Sequence, residues 1–215
     1  MRNDQQLQSD VEWELKWDPS LKAEQIGVSA KDGVIELDGH VDSYFEKWSA
    51  ERAALKVTDV KAVASEIKVE LPTSSIRTDE DIARTASEQL EWNLSVPDTV
   101  KVQVTDGRVS LVGTTDWQYQ KVAAEKSVRS LQGVTWLFNQ IKVTPRANAG
   151  VLKVDIENAL KRHAETDAKN ILVETAGGTV TLSGKVSSWG EREDAQRAAW
   201  AAPGVTMVKD LITIH

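Results

Sequence analysis

Cysteine is absent from the chain, which excludes disulfides, thiol nucleophiles and thiolate metal ligands. Long hydrophobic runs are absent too. No stretch approaches the ~18 consecutive apolar residues of a membrane-spanning helix, so a transmembrane protein is not expected. The start, Met1-Arg2-Asn3-Asp4-Gln5-Gln6, lacks the apolar core and small-residue cleavage site of a secretion signal. The expectation is a cytoplasmic protein. Basic clusters are also missing: 26 Lys and Arg stand against 33 Asp and Glu, for a net charge of −7. Binding to nucleic acid needs phosphates neutralised by Lys and Arg, so this balance argues against it. Phenylalanine and tyrosine are scarce, with two of each, yet there are eight tryptophans.

Histidine is equally sparse. His40, His163 and His215 are the only three. They occupy unrelated places in the repeat described below, so a histidine-based triad or metal site is not expected. The acidic run Asp79-Glu80-Asp81 reads as a helix start, where carboxylates favour the helix dipole, rather than as a catalytic pair. No glycine-rich loop leads into a helix as a phosphate cradle would. An enzyme is therefore not expected, nor is a cofactor.

What the chain does contain is a threefold repeat. Gly39-His40-Val41, Gly113-Thr114-Thr115 and Gly184-Lys185-Val186 each follow a valine-rich hairpin and stand the same distance before Val60, Val134 and Val205. A period of ~70 residues exceeds a solenoid repeat and matches a small domain. We expect domains over residues 1–72, 76–145 and 149–215. Units this small are marginal alone, so they should pack on one another.

Each copy opens on an apolar stripe of helical spacing: Leu7, Val11 and Leu15; Ile82, Ala86 and Leu90; Leu152, Ile156 and Leu160. Asp4 is a plausible N-cap for the first. Asp18-Pro19, Pro97-Asp98 and Glu165-Thr166-Asp167 should end these segments. Alternating hairpins follow, turning at Asp32-Gly33, Asp106-Gly107 and Gly177-Gly178. Gly33, Gly107 and Gly178 are thus structural turn glycines. A second helix, with candidate N-caps Asp42, Asp116 and Ser187, has a small inner face: Ala50, Ala53, Ala54 and Val57; Ala124, Ser127, Val128 and Leu131; Ala195, Ala198, Ala199 and Ala202. A closing strand should lie parallel to the second hairpin strand. The predicted class is α+β: three tandem αββαβ units, each a three-stranded mixed sheet with two helices on one face. Pro72-Thr73-Ser74-Ser75 and 145–150 are the expected linkers.

These residues carry a resemblance. The hairpin Val102-Gln103-Val104-Thr105-Asp106-Gly107-Arg108-Val109-Ser110-Leu111-Val112-Gly113, the Ala-rich helix, and the entry Gly133-Val134 to the last strand resemble the bacterial BON family. The third copy keeps Gly178, Gly184 and Gly204-Val205-Thr206-Met207-Val208. The first departs from the pattern, with Asp59 where a glycine precedes the valine. The resemblance implies the αββαβ fold and a transport-associated module tied to osmotic or general stress. It also implies binding to phospholipid or to an envelope or protein partner. Some cytoplasmic members bind potassium, so a small-cation binder or a purely structural interaction module is the alternative. The family supplies no universal ligand residues.

The tryptophans are the candidate surface. Trp13 lies opposite the Leu7/Val11/Leu15 stripe, and Trp48 and Trp200 fall off the alanine faces of their helices. Trp17 and Trp92 share one position at the end of the first helix. Two readings stand: rings that fill contacts between copies, or a surface for lipid headgroups or a partner. Trp117 and Trp189, at the second helix starts, are weaker candidates. Lys47, Lys121 and Arg192 recur at one position and Arg52, Lys126 and Arg197 at another. With Glu51 and Glu125 nearby, they predict a solvated, paired helix face. Acidity is concentrated in residues 1–72, where 15 carboxylates face 9 basic groups.

Overall fold

The computed structural model describes residues 3–144, 156, 171–176, 178–202, 205 and 207–214. The first unit runs α1 (Asp4–Trp17), β1 (Ile26–Lys31), β2 (Val34–Val41), α2 (Tyr44–Lys56), β3 (Ala62–Ser65) and β4 (Lys68–Val69). The second runs α3 (Asp79–Trp92), β5 (Lys101–Thr105), β6 (Arg108–Val112), β7 (Thr114–Thr115), α4 (Gln118–Val128), β8 (Trp136–Asn139) and β9 (Lys142–Val143). The third contains β10 (Ile171–Ala176), β11 (Thr179–Val186), α5 (Trp189–Trp200) and β12 (Met207–Ile214). Leu152, Leu160, the turn at Glu165-Thr166-Asp167, His163, Gly177, Gly204 and the linker 145–150 lie outside the described residues. Ile156 is helical and buried.

The main sheet of each unit is mixed, as expected, and in the second unit β7 and β9 form a separate parallel pair. β1 and β2 are antiparallel, with Lys31 opposite Val34 across the turn. β3 and β4 both run parallel to β2. The crossover has the same length in every unit, so Val34 pairs with Ala62, Arg108 with Trp136, and Thr179 with Met207. Alternation decides which face is covered. Ile35 and Leu37 point into one core with Leu7, Val11 and Leu15 of α1 and Ala50, Ala53 and Ala54 of α2, while Glu36 and Asp38 on the other face are exposed. Both helices therefore cover a single face. The alanines allow α2 to lie close to the strands.

The Asp-Gly turns hold positive φ at both positions, 52° and 82° at Asp32-Gly33 and 51° and 71° at Asp106-Gly107. That is the geometry of a two-residue hairpin turn. The recurring Gly39, Gly113 and Gly184 have a different cause. Gly39 and Gly184 sit within the second strand and Gly113 at the break between β6 and β7, at φ of 115°, 133° and 125°. A Cβ at Gly39 would collide with the Gln25 carbonyl oxygen, and one at Gly113 with that of Thr99. Only glycine permits both the φ and the close approach. Asp59 holds φ of 74° where the second unit has Gly133 at 88°, so the first unit keeps the left-handed step with a residue that tolerates it.

Helix capping differs from expectation. The N-cap of α1 is Asn3, whose side chain accepts the Gln6 N–H at 2.8 Å, and not Asp4. Asp4, one residue further on, reaches the hairpin and accepts from the backbone N–H of Asp32 (3.0 Å) and Gly33 (3.3 Å). Asp79 does the same with Asp106 (2.8 Å) and Gly107 (2.9 Å). The caps of the second helices lie one residue past Asp42, Asp116 and Ser187. Ser43 and Ser188 accept from Glu46 and Glu191. At Trp117, which has no acceptor, the Gln120 side chain reaches back to the N–H groups of Asp116 and Trp117. Capping requires extended backbone at the cap, and the serines have it.

Gly113→Ala is expected to destabilise by about 3 kcal/mol, from strain plus collision. Urea unfolding followed by tryptophan emission measures it, and a change below ~0.5 kcal/mol would refute the close-approach argument. Asp79→Ala removes two hydrogen bonds to an ionised acceptor at an exposed turn and should cost about 1 kcal/mol. Hydrogen exchange at the Asp106 and Gly107 amides should accelerate in that variant, and unchanged exchange would count against the clamp.

Candidate functional site

The first helices orient three tryptophans outward. Burial of Leu7, Val11 and Leu15 fixes the rotation of α1, which leaves Trp13 and Trp17 in solvent at 67% and 83% exposure. Burial of Ile82, Ala86 and Leu90 does the same for α3, leaving Trp92 74% exposed. Trp17 and Trp92 are each the last residue of their helix. Leu94, just beyond Trp92, is fully exposed. The Lys16 ammonium lies 5.8 Å from the centre of the Trp13 ring. Each of these tips thus combines indoles with either a cation or a second apolar side chain.

Trp48 is placed differently. It stacks near Phe45, with ring centres 6.2 Å apart, and the Arg129 guanidinium of the second unit covers it at 3.6 Å. The neighbouring Tyr44 packs on the core of the second unit and lies 6.1 Å from Trp136. Burial pushes the Tyr44 hydroxyl pKa above its ordinary value; Glu51 and Glu125 add to this and Arg129 opposes it. One turn further along the same face of α2, 5.6 Å from the Trp48 ring centre, Arg52 pairs with Glu193 of the third unit. The Trp189 indole N–H donates to the Lys61 carbonyl at 3.2 Å, and the Asp59 N–H to that of Ser187 at 3.4 Å. Trp200 is half-buried against the core of its own unit. Sequence pattern places Trp13 and Trp48 alike on the outside of their helices, but the structure separates them into water and interface.

The recurring basic position is not a solvated face. Lys47 is buried, and its Nζ donates to the Ile67 carbonyl at 2.8 Å. Lys121 donates to the Ile141 carbonyl at the same distance. Both oxygens lie at the interruption of the closing strand, where the ladder leaves a carbonyl without a strand partner. In the third unit, where β12 is continuous, Arg192 instead pairs with Asp210, which also accepts from Gln196 and from the Ile212 N–H. These cations hold the strand to the helix and are not available to a headgroup. Only the Lys47–Glu51 contact, at 4.0 Å, resembles the expected pairing, because Glu125 binds Arg129 and Asn139 rather than Lys121. At the second recurring position Lys126 and Arg197 lie in solvent, Arg197 with Asp194 at 3.0 Å, while Arg52 is turned to the third unit.

Asp81 lies at the start of α3. Hydrogen bonding to the Thr78 hydroxyl, then to Arg84, holds its carboxyl below the usual range. That is helix-start geometry. His40 is exposed on β2. Among the described residues there is no group of three His, Asp or Glu placed to hold a metal ion, and no helix long and apolar enough to cross a membrane.

The profile of the BON domain matches residues 3–70, 78–145 and 148–215. The chain belongs to the BON domain family. A relative, the osmotically-inducible protein Y of Escherichia coli (strain K12), is 30% identical over 129 residues, 57% of this chain and 64% of that protein. The chain thus spans less than two thirds of the curated relative that it matches. Among solved structures, the C-terminal domain of CdsD, the structural protein of the Chlamydia trachomatis type III secretion system, aligns over 100% of both chains. Its identity is 15% and its TM-score 0.26. The periplasmic domain of PrgH from S. typhimurium aligns over 89% of this chain and 95% of that one, at 12% identity and a TM-score of 0.24. Scores this low carry no argument about function.

Trp48→Ala should cost about 1–2 kcal/mol, since it removes a partly desolvated cation–π contact between units. Trp13→Ala should change stability by less than ~0.5 kcal/mol. Thermal unfolding of the two variants side by side is the measurement. Equal losses would mean that the two rings do not differ as described.

Proposed function

We propose that this BON protein works by binding rather than catalysis, and that it lays the helix-end indoles of its first two units on a phospholipid headgroup layer. The observation that carries the reading is the exposure of Trp17 and Trp92 at one equivalent position. An indole combines a large apolar body with a polar N–H, which suits the boundary between headgroups and acyl chains. A folded unit gains nothing internally from such a ring in water. The likeness to an osmotically inducible relative supports a role under osmotic stress. The acidity of the first unit sets the lipid preference, because anionic lipids repel it and zwitterionic ones do not.

Flotation with liposomes tests this. Co-migration is expected with phosphatidylcholine and should weaken as phosphatidylglycerol is added. The double variant Trp17→Ser/Trp92→Ser should lose most of the bound fraction while keeping its melting temperature. In the wild type, brominated lipid should quench part of the tryptophan emission. Absence of co-migration at every lipid composition would remove the reading and leave a protein partner as the target of the same rings.

A further inference from the structure

Each sheet packs one face on its helices, and strand alternation assigns the residues of the opposite face. In the second unit Val109, Leu111 and Leu137 are buried, so Arg108, Ser110, Trp136 and Phe138 point away from the core. The register sets them in rows across the sheet. Thr105, Arg108 and Trp136 form one row, Gln103, Ser110 and Phe138 the next, and Lys101 stands beside Val112. Trp136 and Phe138 are 38% and 44% exposed, with ring centres 5.9 Å apart. Tyr44 of the first unit, 6.1 Å away, and the Lys47 ammonium, 4.5 Å from the ring centre, flank Trp136 and fix its place. Lys101, Gln103, Thr105 and Arg108 are exposed. Neither Lys101 nor Arg108 belongs to any ion pair of the described residues. No carboxylate stands at an outward position of β5, β6 or β8.

The corresponding faces of the other units lack this combination. In the first, Ser29, Glu36, Asp38 and Ala64 are exposed there, so that face is small-chained and acidic. In the third, Leu172, Leu211 and Met207 are exposed, and they are aliphatic. We infer that the open face of the second sheet binds an acidic polysaccharide, an extended chain of sugars bearing carboxylates. The apolar C–H face of a pyranose packs on an indole or phenyl ring. Two rings two residues apart on one strand are spaced for successive sugars, and their 44° tilt suits a single twisted chain. The two unpaired cations meet the sugar carboxylates, where charge-assisted hydrogen bonds are the strong ones. Gln103, Thr105 and Ser110 supply donors and acceptors for the sugar hydroxyls. A nucleic-acid strand also stacks on exposed rings, but it requires cations along its whole phosphate track. This face has two, in a chain of net charge −7. A sugar chain with more neutral hydrogen bonds than charges matches that balance better.

Calorimetry of the full chain with a hexamer of β-1,4-linked mannuronate tests the inference. Saturable binding is expected, and neutral cellohexaose should bind about tenfold more weakly, since it offers no charged acceptor. Arg108→Gln should weaken mannuronate binding about tenfold for the same reason. Phe138→Ala should weaken it about fivefold through lost apolar contact. Both side chains are exposed, so the melting temperature should stay unchanged. If Phe138→Ala lowers it, Phe138→Leu, which keeps apolar volume without a flat ring, serves in its place. Glu36→Gln, on the open face of the first unit, should bind as the wild type does. Trp17→Ser/Trp92→Ser should do so too, which separates this result from lipid binding. Absence of binding at millimolar mannuronate would overturn the inference. So would binding that survives both second-unit variants, equal affinity for cellohexaose, or tighter binding of oligothymidylate.

Discussion

The arrangement of the units depends on one helix that must be covered on two sides. The inner face of α2 is Ala50, Ala53 and Ala54, buried on its own sheet. Its outer side carries Tyr44, Trp48 and Arg52, and these reach the second and third units. A small inner face brings the helix axis close to the strands and keeps the volume of the first core low. Large side chains outside then extend the apolar surface to the neighbours. A single unit of this size buries too little to be robust, and the shared helix supplies the missing burial. The buried Lys47 belongs to the same device. Its stem crosses the helix–sheet boundary, its ammonium satisfies the Ile67 carbonyl, and the same charge lies 4.5 Å from the centre of the Trp136 ring.

Much of this fold is legible in the sequence because it is local. The Asp-Gly turns, the alternating strands and the Leu7/Val11/Leu15 stripe each need only neighbours within about a helical turn or a hairpin. The parallel closing strand follows from crossover handedness, and it is observed in all three units. The N-caps were less legible. Asp42 and Ser43 are adjacent acceptors, and composition cannot tell which one has the extended backbone that caps. In the structure Ser43 caps the helix, while Asp42 pairs with Lys22.

The candidate site was legible only in part, for a different reason. A helical wheel gives the direction of a side chain relative to its own sheet and nothing about a neighbouring unit. Trp13 and Trp48 therefore look alike in sequence, although one lies in water and the other beneath Arg129. Lys47 and Lys121 were misread because their partners are carbonyls at a strand interruption, which leaves no mark in the sequence. Glu125 could have been a warning. It is four residues from both Lys121 and Arg129, and a guanidinium on the following turn competes well for a carboxylate.

The fifth position of the second helix shows how one docking geometry can still specify order. Trp48 and Glu193 differ in charge, yet both satisfy an arginine on the receiving side, one through its ring face and the other through its carboxylate. Val122 offers neither. Placed against the edge of the first or second unit, it would cover a guanidinium without pairing it, and burying an unpaired charge is costly. Specificity of this kind needs no change of backbone, because it rests on what each wrong pairing would leave unsatisfied. That is why the framework of the three units can recur while their outer side chains diverge.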